Sequence, residues 1–156
     1  MTLTKLILLA IASVATLWAS DYWLDTYAHI PADCRLGAPT FRTAAQINEI
    51  LDKLDGKSHG YVVFLWTFDL VAPLLYGASL YVAISLGAWP GLRWIAIIAA
   101  ISDYIENALT TGLLVAYPAK FSFLATLCAV ATLVKWALYG GALAIAVIAG
   151  IALKVR

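Results

Sequence analysis

The sequence predicts an all-α protein, a four-helix transmembrane bundle with a short amphipathic helix in its first extramembrane loop. Three observations predict it. Of the 156 residues, 63% are hydrophobic and only 12% charged, against about 25% charged in soluble domains. The apolar residues fall in long runs separated by turn signals. The one long polar stretch carries a helical period. A mean hydropathy of +0.90 leaves far more apolar surface than a soluble chain of this size could hide, and a bilayer solvates that surface. The chain 1–156 reads as one integral membrane domain, without repeats, low-complexity stretches or linkers.

The first span is expected at about 3–23. A basic residue, an apolar core and a small-residue end also describe a signal peptide. Trp18, however, stands where cleavage after Ser20 would prefer a small residue, so the helix reads as retained. The apolar run 6–19 is short of the roughly 20 residues needed to cross, and it borrows from Thr2 to Leu24. Trp18, Tyr22 and Trp23 serve as interface anchors.

The extramembrane segment is expected at 24–60, just after Asp21. It holds Asp25, Asp33, Glu49, Asp52 and Asp55 with Arg35, Arg42, Lys53 and Lys57. Pro31, Asp33 and Pro39 mark turns. Thr43 and Gln46 have capping-box spacing. Ala44, Ile47, Ile50, Leu51 and Leu54 then share one helical face, and Gly56 can end the helix. Such a helix lies on the bilayer or caps the bundle.

The remaining spans are expected at 61–86, 92–116 and 121–153. Trp89-Pro90-Gly91 and Tyr117-Pro118-Ala119-Lys120 are the turns between them, short enough to force antiparallel neighbours. The last span exceeds one crossing and must tilt or project. Gly140-Gly141 offers a bend or a close helix contact. Both termini then share a side, with Lys5, Arg93, Lys154 and Arg156 facing Arg35, Arg42, Lys53, Lys57 and Lys120 across the membrane. That near balance leaves the positive-inside rule almost silent. The signal-like first helix favours cytoplasmic termini in a bacterial inner membrane, with dual topology open.

Several chemistries are not expected. A net charge of +1 with scattered bases gives no track for nucleic acid. Cys34, in a polar loop, and Cys128, in an apolar helix, are expected far apart in depth, unbridged and inert. No metal and no cofactor are expected. His29 and His59 flank the polar segment, so neither can bind a mid-membrane haem. A surface metal site with Asp25 or Asp33 would lack any signature spacing. Nucleotide loops and nucleophile–base pairs are not found.

Against this background five polar residues inside apolar spans stand out: Asp69, Asp103, Glu106, Asn107 and Lys135. Each ionisable one costs about 2.5–3.5 kcal/mol at mid-bilayer on insertion scales. Asp103, Glu106, Asn107 and Thr110 sit at i, i+3, i+4 and i+7, one face of a helix. Asp69, Pro73 and Tyr76 likewise share a face. Pro73 has no N–H, so the carbonyl of Asp69 loses its helical partner. Tyr76 and Tyr104 can supply hydroxyls. Lys135 counts to mid-depth in the last span, with Cys128, Thr132 and Tyr139 on about its face. Close together in a dry interior, these groups cannot all be charged. The expected ground state pairs one carboxylate with Lys135 and leaves at least one of the others protonated, a division that acid–base chemistry requires. Asp69, Asp103, Glu106 and Lys135 are therefore the candidate catalytic groups. Asn107, Tyr76, Tyr104, Thr110 and Pro73 are the candidate ligand-binding ones. Buried polar groups also hold membrane helices together, although Ser, Asn or Gly would do so more cheaply.

Tyr61 and the Asp69-x-x-x-Pro73-x-x-Tyr76 helix, followed by Asp103-Tyr104-Ile105-Glu106-Asn107, resemble a family of small bacterial four-helix membrane proteins of no settled activity. The resemblance covers about 40–116, including the amphipathic helix. It implies the same site residues and no particular reaction. A looser likeness to sterol-isomerase-like bundles, which set buried carboxylates against a lipid-like ligand, is one of fold only.

Three functions are compatible with these residues. The first is binding of a membrane lipid or a lipid- or isoprenoid-like small molecule, with acid–base chemistry on it. Asp103 or Glu106 would be the acid, Asp69 the base or cation stabiliser, and Lys135 would set the charge. The second is a structural or assembly subunit of a membrane complex, docking through the polar segment. The third is a small proton-coupled transporter acting as a homodimer.

Overall fold

The computed structural model describes residues 3–54 and 56–154. Thr2, Asp55 and Arg156, used above for the first helix, the polar segment and the charge balance, lie outside the described residues, as do the side chains of Lys5 and Lys154. Among the described residues every regular element is helical. Helix α1 (Leu3–Thr26) is followed by a 3-10 turn (Ala32–Cys34), α2 (Ala44–Lys53), α3 (Ser58–Leu65) and α4 (Phe68–Leu86). A second 3-10 turn (Pro90–Arg93) leads into α5 (Trp94–Ala116), and α6 (Ser122–Lys154) completes the chain.

Three stretches are long and apolar enough to cross a membrane: Leu6–Thr26, Ser58–Leu86 and Ser122–Ala152. Helix α5 is not one of them by that measure, although its 23 residues are enough in length. Its outer face shows Ile98, Ile101 and Ile105, while Ser102, Asp103, Glu106, Asn107 and Thr110 are buried inside. It packs between α4 and α6. Helix α6, at 33 residues, is about 50 Å long at 1.5 Å per residue.

The capping box at Thr43 and Gln46 forms in full. The Gln46 N–H lies 3.3 Å from Thr43 Oγ1, and the Thr43 N–H donates to Gln46 Oε1 at 2.8 Å. Ile47, Ile50 and Leu51 then face inward against α6, and Leu54 beyond them is fully buried. The helix thus caps the bundle with its apolar face. Gly56 adopts the left-handed φ of 76° that releases the chain towards α3.

The run expected as one span at 61–86 is divided. At Trp66 and Thr67 the hydrogen bonding tightens, and the Thr67 N–H donates to the Phe64 carbonyl at 3.2 Å. The Thr67 hydroxyl takes the Val63 carbonyl at 2.7 Å, in competition with the backbone ladder. Pro73, one turn further on, removes the donor that the first turn of α4 would have received.

Part of the segment expected outside the membrane is also folded into the bundle. The Leu36 N–H donates to the Tyr61 hydroxyl at 2.7 Å, and the Trp136 indole donates to the Gly37 carbonyl at 3.0 Å. Arg35 ties this loop to the end of α1 through Asp21 at 2.6 Å and Asp25 at 2.5 Å. Irregular backbone at such a position is tolerated because protein groups satisfy it.

Two apolar clusters result. The larger gathers Ile47, Leu51, Leu54, Phe64, Leu113 and Cys128 with their neighbours, and the smaller holds Leu80, Ile84, Ala96 and Ala142. Between them along α4, α5 and α6 lies a layer of polar side chains. Beyond the smaller cluster, α4 ends close against α6. The Ala88 N–H donates to the Ala149 carbonyl at 3.1 Å, and a Cβ on Gly87 would stand 2.6 Å from that of Ala149, so only glycine permits the approach.

Candidate functional site

Helical spacing on α5 turns Asp103, Glu106, Asn107 and Thr110 to one inward face, and each is at most 4% exposed. From α6, the Lys135 Nζ reaches Glu106 Oε2 at 2.7 Å and Asp103 Oδ1 at 3.1 Å. One carboxylate was expected beside Lys135, and the structure brings two. The reason is the i, i+3 spacing, which sets both acids on the same side of α5 where a single ammonium spans them.

The other oxygens of the pair are also engaged. Tyr76, from α4, donates its hydroxyl to Asp103 Oδ2. Thr132 Oγ1 lies 3.2 Å from Glu106 Oε1 and 3.0 Å from the Cys128 carbonyl, sharing one proton between them. Thr110 Oγ1 lies 3.4 Å from Glu106 Oε1 and 3.3 Å from Cys128 Sγ. A proton on Cys128 can therefore satisfy Thr110 while Thr110 donates to Glu106. Cys128, expected as a bystander, is part of this network. Both cysteines are free thiols in the larger apolar cluster. Burial, and then the neighbouring Asp33, push the Cys34 thiol up from its ordinary value, so it is a poor nucleophile.

Asp69 stands apart. It lies in the first turn of α4, and among the described residues it makes no ion pair. Its backbone carbonyl, freed by Pro73, accepts from Asn107 Nδ2 at 3.2 Å. The proline vacancy is thus filled from the neighbouring helix. Asn107 Oδ1, in contrast, is buried without a donor, and the buried Arg35 Nε–H has no acceptor among the described residues.

A cavity of about 440 Å³ joins these groups. Asp69, Tyr76, Asp103, Glu106 and Lys135 are on its wall, and Asp21 and Arg35 also border it. Leu17, Leu24, Phe64 and Leu65 give it an apolar side. Tyr139 lines it too, with its ring centroid 3.9 Å from that of Tyr76 in an edge-on contact. The loop at Gly37 forms another wall. A Cβ there would meet Glu106 Oε1 and Lys135 Nζ, each at 3.4 Å.

Of the expected site residues, Asn107 and Thr110 are not on the cavity wall but bond to Asp69 and Glu106, which are, and two more lie elsewhere. Tyr104 donates to the Leu70 carbonyl at 2.7 Å. Together with Pro73 it lines a separate open groove between α4 and α5. Residues on the wall that were not expected in the site are Gly37, Tyr61 and Trp136. Tyr61 entered only through the family likeness, Trp136 reads as an anchor or core aromatic, and a glycine in a proline-bounded loop is common elsewhere. Among the described residues no three His, Cys, Asp or Glu side chains converge as a metal would require.

No family model matches the chain, and neither the curated proteins nor the solved structures contain a significant match to it. The likeness of its two helix motifs to the small bacterial membrane family therefore rests on those motifs alone.

Proposed function

We propose that this is a multi-pass membrane protein whose central cavity binds a lipid-like amphiphile from the bilayer. Helix α5 is the fourth crossing in this reading. It packs between α4 and α6, which belong to the stretches Ser58–Leu86 and Ser122–Ala152 that are long and apolar enough to span. Its apolar face is outward and its polar face is satisfied within the bundle.

The observation that carries the proposal is the cavity itself. A merely cohesive polar layer would be packed shut, as Asp103, Glu106 and Lys135 are with one another. Here the layer borders about 440 Å³ of space with leucines and a phenylalanine on one side. An apolar body with a polar end fits that division. Asp69 is the carboxylate not already held by Lys135, and it is the group that would exchange a proton with the occupant.

The test is mass spectrometry of what co-purifies with the full chain in mild detergent, beside an Asp103→Asn/Glu106→Gln variant. An amphiphile retained by the wild type and lost from the variant is the expected result. Equal, nonspecific lipid in both, with the variant less heat-stable, would make the cluster cohesive and overturn the reading.

A further inference from the structure

We propose that the occupant is a protonated amine with an apolar body, its ammonium seated against Asp69. This rests on the cavity being a ligand site and names the class of ligand.

Charge is the first argument. Three carboxylates, Asp69, Asp103 and Glu106, border the inner part of the cavity with one cation, Lys135. That ammonium is committed to Asp103 and Glu106. The other cation on the wall, Arg35, is held by Asp21 and Asp25. Those two acids leave it no surplus charge. An anionic head would meet carboxylates with no cation to spare, and like charge in a dry site is costly. A cation placed at Asp69 offsets one of the two negative charges that Lys135 leaves uncompensated.

Hydrogen bonding gives the second argument. Lys135 and Tyr76 spend their donors on Asp103 and Glu106. Asp69 is the acid on the same wall that neither of them serves. An ammonium N–H seated there supplies a donor and a charge together.

Size and surroundings argue for an organic cation. A divalent metal would need converging ligands, which the described residues do not provide. A small monovalent ion would leave most of the cavity and its leucine side unfilled. The rings of Tyr61, Phe64, Trp136 and Tyr139 on the wall suit a cation with an apolar body, since ring faces attract positive charge.

The test uses the full chain in dodecyl maltoside, captured on scintillation beads, with radiolabelled decylammonium as the probe. Decanol and decyl sulfate are the tail-matched competitors. Expected are saturable binding and displacement by unlabelled decylammonium but not by decyl sulfate. Affinity should be about tenfold weaker or more in Asp69→Asn and should be kept in Asp69→Glu. If decanol or decyl sulfate competes equally, or Asp69→Asn binds as well as the wild type, the amine assignment falls and the cavity reading stands. If the probe does not bind saturably while a native amphiphile still co-purifies and is lost from Asp103→Asn/Glu106→Gln, the amine assignment again falls alone. If neither binds, both fall. Should Asp69→Asn fail to fold, the order of competitors on the wild type decides.

Discussion

Lys135 holds two acids that would otherwise stand side by side in the bundle interior. Its value lies in what its removal leaves behind, because an unpaired buried charge costs more than the pair gains. Lys135→Met is expected to lower stability by about 3–5 kcal/mol, measured by reversible unfolding in mixed micelles. Adding Asp103→Asn and Glu106→Gln to it should recover most of that loss, since the charges then vanish together. A triple variant no more stable than Lys135→Met would show that the ammonium does not serve these carboxylates. Much of this cluster was legible in the sequence. The spacing of Asp103, Glu106, Asn107 and Thr110 declares a shared face, and a lysine at the matching depth of another span declares a partner. Gly37 was not legible, because its place beside Glu106 and Lys135 depends on how a loop more than sixty positions away in sequence folds back.

Helix α2, with its capping box and apolar face, could be read locally, because its cap and its period lie within a few residues. The division between α3 and α4 could not. Trp66 and Thr67 are compatible with a continuous apolar helix, and the proline that marks the place stands a turn beyond the break. The loop over the site is held by long-range bonds of the same hidden kind. Tyr61 takes the Leu36 N–H at 2.7 Å, and losing that acceptor would leave a buried donor unpaired, at a cost of about 1–3 kcal/mol. Tyr61→Phe is therefore expected to raise the amide exchange of Leu36 and its loop neighbours well above that of α5, read by hydrogen–deuterium mass spectrometry. Unchanged protection at Leu36 would mean that Arg35 and Trp136 fix the loop without Tyr61.

The whole molecule is ordered in layers along its long direction, with a capped apolar cluster, a charged stratum and a smaller apolar cluster. Asp103, Glu106 and Lys135 are buried by protein whatever surrounds the helices, and whether a bilayer lies outside that layer turns on α5. Composition alone does not assign it as a crossing, because the residues that make the site also lower its hydropathy. Its ends offer a direct test. A Cβ at Gly91 meets nothing within 4 Å, and Ala119 at the other end is exposed, so Gly91→Cys and Ala119→Cys should both fold normally. The native cysteines should give little background at neutral pH. Both are buried, and the raised value of Cys34 keeps it protonated until the pH passes the ordinary thiol range, with labelling rising only beyond that. A membrane-impermeant maleimide added to sealed vesicles should reach Gly91→Cys from one side and Ala119→Cys from the other. Inverted vesicles should exchange the two results. Labelling of both positions from the same side would mean that α5 returns without crossing. The polar layer would then border water instead of lying within a four-span bundle, and a bilayer amphiphile would lose its route to the cavity.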